Sequence, residues 1–192
     1  MTRIAYFGLP LGALLLEKDG AELTLAALSP TDAPGRRRLD RILGDRVLDA
    51  RDFDDPRAFE RAVEGRLAEA PPELIASWYF TRRLPSRWLD RAPLGAIGVH
   101  PSLLPRYRGP NPFFAAIDAG DVVTGVSVHR LVERYDEGDV LATETLPVDE
   151  RTSWELARAL DRPSLRLLRD VVRRIRGGEP LAAAPQNEAL AS

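Results

Sequence analysis

The stretch Gly98–Asp139, GVHPSLLPRYRGPNPFFAAIDAGDVVTGVSVHRLVERYDEGD, carries both histidines of the chain, His100 and His129, and its densest run of loop-forming residues. It follows directly from a short apolar run, Gly95–Val99, which reads as a strand. The residue before a proline is pushed towards extended geometry, so His100, before Pro101, is expected at the carboxyl end of that strand, facing out of the sheet. In open α/β sheets this is the edge where ligands bind.

Working outward, further apolar runs of strand length occur at Leu23–Ser29 and Leu74–Phe80, as expected of strands buried on both faces. Arg3–Gly8 is β-rich and leads into the turn Leu9-Pro10-Leu11-Gly12. It lacks G-x-G-x-x-G, so no pyrophosphate cradle is implied. Helical spacing recurs over Pro56–Ala70, with Phe59, Val63 and Leu67 at four-residue intervals, and shorter helices are expected over Ala13–Lys18, Ser86–Asp90 and Pro112–Ala119. Arg46–Leu48 reads as a weak strand. Val122–Leu131 and Val140–Val148 alternate as strands joined through Val132–Asp139. Thr152–Glu155 has the spacing of a capping box, and Leu165, Leu168, Val172 and Ile175 share one helical face. Strands alternating with helices predict an α/β fold, a Rossmann-like layered and mainly parallel sheet with helices on both faces. Residues 1–176 are expected to form one catalytic domain, and 177–192 a mobile tail after Gly177-Gly178.

The 192 residues are 44% hydrophobic and 29% charged with a formal net charge of −2, so nothing electrostatic points to nucleic acid or an anionic membrane. With no cysteine, disulfides, thiolate metal sites and a cysteine nucleophile are excluded, and two histidines leave little for a metal site. No apolar run approaches the ~20 residues that cross a bilayer, and the N-terminus has no signal-peptide pattern; the expectation is a soluble, cytoplasmic protein. The run Arg36–Arg38 reads either as a solvated face or as a contact for an anion.

For chemistry, His100 stands out by position. Asp136 lies in the connection between the last two strands, and if that hairpin is adjacent the carboxylate would orient the imidazole. Ser102 is close in sequence, but G-x-S-x-G is absent, so no serine hydrolase is implied.

The pattern His100-Pro-Ser-Leu-Leu-Pro-Arg-Tyr-Arg-Gly109, then Thr124-Gly-Val-Ser-Val-His129 and Asp136-Glu-Gly-Asp139, resembles the 10-formyltetrahydrofolate-dependent formyltransferases, and the likeness covers nearly the whole chain. The resemblance implies formyl transfer from 10-formyltetrahydrofolate to an amine. It places His100 and Asp136 at the reacting centre. Phe80, Thr81, Arg83 and Leu84 fall in the loop that holds the pteridine largely by backbone groups, and Val132, Glu133 and Tyr135 in the opposite wall of that pocket. Ser102, Arg108 and Asn111 fall on the acceptor side. Independently of the resemblance, Arg82, Arg83, Arg106 and Arg108 read either as contacts for an anionic acceptor or as ordinary surface arginines. The implied acceptor is a small molecule, an amino-sugar nucleotide or an amino-acid type of amine; a homodimer is compatible with it.

One position departs from the pattern. The family's asparagine, two residues before the histidine, is Gly98 here, which has no side-chain amide to bond the formyl oxygen. Three expectations remain open. The chain is a transferase in which another group, with Asn111 as a candidate, replaces that donor. It is a strongly impaired homologue, slow with an acceptor presented at high effective concentration, or one that has lost transfer and kept a folate or metabolite site. Or it works only with a larger partner.

Overall fold

The computed structural model describes residues 2–191. Seven strands are hydrogen-bonded in the order β3-β2-β1-β4-β5-β6-β7, and the chain divides after Ile97, within β5, into two compact units.

The first unit runs β1 (Arg3–Gly8), α1 (Pro10–Lys18), β2 (Glu22–Leu28), α2 (Arg36–Leu43), β3 (Val47–Asp49), α3 (Pro56–Glu69), β4 (Leu74–Trp78) and α4 (Ser86–Leu89), then enters β5 (Ala96–His100). β1 pairs in parallel with β2 on one side and with β4 on the other, and β2 pairs in parallel with β3. Right up to their ends the central strands are buried on both faces, as their unbroken apolar sequences require: Ile4–Phe7, Leu25–Ala27 and Leu74–Ala76 are essentially inaccessible. Phe59, Val63 and Leu67 form the buried stripe of α3. Gly8 is fixed by a close approach, since a Cβ there would fall 1.8 Å from the Trp78 carbonyl oxygen, and its φ of 141° suits no other residue.

The arginine run opens α2 and is used internally. Arg36 bonds Asp40 (2.7 Å), Asp49 (2.5 Å) and Asp52 (2.8 Å), and Arg51 bonds Asp49 and Asp32. Burial alone would push the Asp49 carboxyl up; the bonds from Arg51 and Arg36 overcome it and hold the group below its ordinary range. Of the two readings of the run, the structure thus gives Arg36 a third role, as the clamp between α2 and the end of β3.

The second unit contains the end of β5, α5 (Pro112–Asp118), β6 (Val123–Arg130), β7 (Val140–Pro147) and α6 (Ser153–Arg176). β6 and β7 form an antiparallel hairpin with an irregularity between Val128 and His129. Its core gathers Val126, Val148, Leu156 and Leu160, with Val99, Phe113, Ile117, Leu146 and Leu167 against them. Each such aliphatic side chain taken out of water contributes on the order of 2 kcal/mol. The capping box at Thr152 and Glu155 is formed, and α6 stops before Gly178, whose φ is 70°. Strand and helix limits agree with the sequence expectations to within about three residues; α1 starts at Pro10 rather than Ala13 because proline suits the first helical turn.

The segment after Gly178, expected to be a mobile tail, is bonded to the second unit. Ala184 and Val140 exchange backbone hydrogen bonds of 2.9 Å in both directions, and Glu188–Leu190 form a 3-10 turn.

Candidate active site

Three titratable side chains of the second unit meet. β5 ends on His100, which Pro101 prevents from continuing, and the ring is only 6% exposed. Its Nε2 lies 2.7 Å from the Tyr107 carbonyl oxygen. A carbonyl only accepts, so Nε2 carries hydrogen and donates. The other nitrogen, Nδ1, lies 3.4 Å from Asp136 Oδ2.

Asp136 sits at φ 56° in the β6–β7 connection, a left-handed geometry that aspartate tolerates better than most residues. Gly138 lets the turn close, because a Cβ there would lie 2.0 Å from the Arg130 carbonyl oxygen. The Gly109 N–H donates to Asp136 Oδ2 (2.9 Å) and ties the His100–Gly109 loop to this turn.

The third group is His129, which sequence reasoning did not place in the site. It is 2% exposed, its Nε2 lies 3.5 Å from Asp136 Oδ1, and its Nδ1 donates to the Arg130 carbonyl oxygen at 2.9 Å. The irregularity in β6 falls just before it, and such a bulge re-aims the side chain that follows. Burial pushes its pKa down, from 6.5 to about 4; the Asp136 carboxylate opposes the shift and His100 adds to it. Both rings therefore spend an N–H on a backbone carbonyl. In their neutral forms both turn a bare nitrogen towards one carboxylate, one to each oxygen. The carboxylate thus stands between the two rings, 3.4 Å from one and 3.5 Å from the other.

Gly98 lies beside this cluster. A Cβ built there would meet Leu131 Cδ2 at 2.7 Å and His129 Nε2 at 3.6 Å. The space of the missing side chain is thus occupied by the flexible end of Leu131, and no amide stands next to His100 from that position.

Of the residues expected on the acceptor side, Ser102 is fully buried and donates to the Arg106 carbonyl oxygen (2.5 Å), while its own carbonyl accepts from Ser127 Oγ (2.8 Å). Those bonds hold it within the loop that follows His100. Asn111 is exposed, at φ 58°, and its carbonyl opens α5 by accepting from the Phe114 and Ala115 N–H groups. Arg106 is paired with Asp121 (2.8 Å). Arg108 is 15% exposed and bonds Glu188 in bidentate fashion (2.7 and 2.9 Å) and Gln186 Oε1. Gln186 Nε2 in turn donates to the carbonyls of Asp136 and Gly138, both at 2.7 Å. Val132 and Tyr135 are exposed, at 44% and 62%, and Glu133 is exposed with them on the β6–β7 connection.

In the first unit, the loop after β4 places Phe80 against Phe7 (5.3 Å) and Phe59 (6.5 Å) and buries Leu84, so these two side chains serve the core. Thr81 and Arg83 are exposed. The loop is held by Ser29, whose hydroxyl donates to the Tyr79 carbonyl (2.7 Å) and accepts from the Thr81 N–H (3.3 Å). Trp78 Nε1 and Arg82 Nη1 are buried there without a hydrogen-bond partner. Unpaired buried donors at a loop are what a ligand with ring nitrogens and carbonyls would satisfy.

The sequence profile of the family described as "Formyl transferase" matches residues 13–172. The chain belongs to the formyl transferase family. It is 41% identical over 110 residues to the methionyl-tRNA formyltransferase of Nitratidesulfovibrio vulgaris (strain DP4), covering 57% of this chain and 33% of that protein. Against the methionyl-tRNA formyltransferase of Koribacter versatilis (strain Ellin345) identity is 39% over 125 residues, 65% of this chain and 40% of the relative. The matched region thus spans well under half the length of these relatives. Among solved structures, glycinamide ribonucleotide transformylase 1 of Symbiobacterium toebii superposes with a TM-score of 0.78 at 23% identity, over 97% of this chain and 95% of that one. Phosphoribosylglycinamide formyltransferase of Brucella melitensis gives 0.73 at 26% identity, over 95% and 99%. The fold is thus that of formyltransferases, an α/β fold with a mostly parallel seven-stranded sheet. No helix among the described residues is long and apolar enough to cross a membrane.

Proposed function

We propose that this chain transfers a formyl group to an amine nitrogen, with 10-formyltetrahydrofolate as the donor and a small molecule as the acceptor. The observation that carries the reading is the Asp136 carboxylate set between two ring nitrogens, 3.4 Å from His100 and 3.5 Å from His129. The donor supplies an activated formyl carbon and a leaving nitrogen. An amine attacking that carbon must lose a proton, and the leaving nitrogen must gain one.

His100 is the group for that proton. Its Nδ1 is bare in the neutral ring, the Tyr107 carbonyl orients the ring through Nε2–H, and a proton taken at Nδ1 gives an imidazolium stabilised by the Asp136 carboxylate. His129, neutral through burial, keeps the second carboxylate oxygen from ordinary solvent. The Tyr107 carbonyl fixes the tautomer of His100. Trp78 Nε1, Arg82 Nη1 and the backbone of the Tyr79–Leu84 loop are the groups of the first unit offered to the donor's ring.

A second reading has one observation in its favour. Position 98 offers no amide to the charge gathering on the formyl oxygen, and Leu131 fills the space. Loss of one such donor costs ~100- to 1,000-fold in rate, which fits a homologue that binds the donor and transfers slowly or not at all.

Calorimetric titration of wild type and His100→Ala with a stable 10-formyltetrahydrofolate analogue tests the donor site, and a formyl-transfer assay across amine acceptors tests the chemistry. Saturable binding by both proteins, with transfer reduced ~100-fold or more in His100→Ala, is expected. Binding without transfer by wild type selects the second reading. A folded wild type that does not bind the analogue overturns both.

A further inference from the structure

Arg108 adjoins Gly109, whose N–H bonds Asp136. Its guanidinium is not free. Glu188 grips it with both carboxylate oxygens, at 2.7 and 2.9 Å. Fork-to-fork pairing is the geometry in which arginine recognises a carboxylate ligand. The two partners differ in surroundings: the Arg108 side chain is 15% exposed and that of Glu188 is 70% exposed. A built-in cation is therefore met by an anion that arrives from the solvent side, on a segment beyond the last helix.

That segment is attached at few points. Ala184 pairs with Val140, and Gln186 bridges Arg108 to the carbonyls of Asp136 and Gly138. Removing Glu188 from Arg108 leaves those attachments intact. The same turn that carries Asp136 is thus bonded to a strap whose Glu188 occupies the arginine.

We propose that Glu188 is a stand-in ligand, and that the Arg108 guanidinium is the subsite for a carboxylate of the acceptor amine, which displaces Glu188 when it binds. This rests on the transfer reading, whose acceptor it narrows to amines that also bear a carboxylate. The charge balance selects carboxylate over phosphate. Arg108 already lies in the field of Asp136 and Glu137 as well as Glu188, and only Arg134 adds a second positive charge at Glu188. Exchanging Glu188 for another monoanion leaves that balance unchanged. A phosphate dianion would add a further negative charge beside Asp136 and Glu137.

The test uses the full chain, 15N-labelled, with the Gly109 amide as reporter, titrated separately with acetate and with inorganic phosphate. In Glu188→Gln the acetate concentration for half-saturation should fall by about fivefold relative to wild type, the factor of an exposed ion pair. Arg108→Gln should show no saturable shift, and phosphate should saturate no more readily than acetate. Equal acetate responses in wild type and Glu188→Gln overturn the stand-in role. Tighter phosphate than acetate binding in Glu188→Gln overturns the carboxylate assignment. The reporter does not depend on turnover: acetate saturation in a chain that transfers to no amine leaves the Arg108 subsite standing and removes the transfer reading instead. With transfer established, glycine should exceed glycinamide as acceptor, and the advantage should vanish in Arg108→Gln.

Discussion

His129 Nε2 lies 3.5 Å from Asp136 Oδ1, inside a cluster where the ring is almost wholly buried. Burial lowers its pKa to about 4, against ~6.5 in an unfolded chain. Between those values the unfolded state binds a proton that the folded state refuses, so stability falls as pH drops through this window. The full loss from this group is about 3 kcal/mol. Urea unfolding at intervals from pH 7.5 to 4 should show this slope in wild type. The His129→Gln variant should lose most of it, whatever its absolute stability. Parallel slopes in the two proteins would remove His129 as the source.

Gly98 gives the second expectation. A Cβ there collides with Leu131 Cδ2 at 2.7 Å, but that atom ends a flexible, half-exposed side chain that can turn aside. The backbone at 98 is of ordinary geometry, so Gly98→Asn should fold. Restoring an amide beside His100 should raise kcat for formyl transfer by ~100-fold, and Leu131→Ala added to it should raise kcat further by clearing the space. An unchanged kcat in both variants would show that the oxyanion is already bonded by another group.

Much of this was legible in the sequence, for physical reasons. Short, mostly apolar runs such as Leu74–Trp78, bounded by Pro72 and the loop after Trp78, read as strands buried on both faces, and Pro101 marks where β5 stops, so His100 and its sheet edge followed. The meeting with Asp136 was only a conditional reading of the hairpin; it was the family resemblance that placed the two residues together. His129 was hidden because a histidine inside an alternating strand looks like any buried side chain; its turn towards Asp136 depends on an irregularity in β6 that leaves no mark in composition. The internal bond from the Ser102 hydroxyl to the Arg106 carbonyl also left no mark in the sequence. Gln186 and Glu188 lie in a segment of Ala, Pro and polar residues with no periodicity, and long-range bonds of single side chains have no local signal.

Thr152 begins α6, the longest helix, with a reciprocal capping box: its hydroxyl accepts from the Glu155 N–H, and the Glu155 carboxylate accepts from the Thr152 N–H at 2.9 Å. Thr152→Ala removes one half of that exchange and should cost about 1 kcal/mol. The check is a lower urea midpoint followed by circular dichroism, with formyl-donor binding retained. A midpoint unchanged from wild type would mean that packing of Leu156 and Leu160 alone sets the start of the helix.

Asp49 should be the most costly polar substitution in the first unit. It is 1% exposed and takes hydrogen bonds from both Arg36 and Arg51. Asp49→Asn removes the charge and leaves two guanidinium groups facing a neutral amide, with an expected loss of about 3 kcal/mol. Because the bonds hold its carboxyl below the ordinary range, its contribution is complete at neutral pH. That contribution is lost only as pH falls below ~4, where an unfolded aspartate protonates. The acid unfolding of the chain should therefore have two separable parts, an upper one removed by His129→Gln and a lower one removed by Asp49→Asn. Unfolding curves of the double variant should lack both, and a double variant that kept the lower part would assign it to other carboxylates.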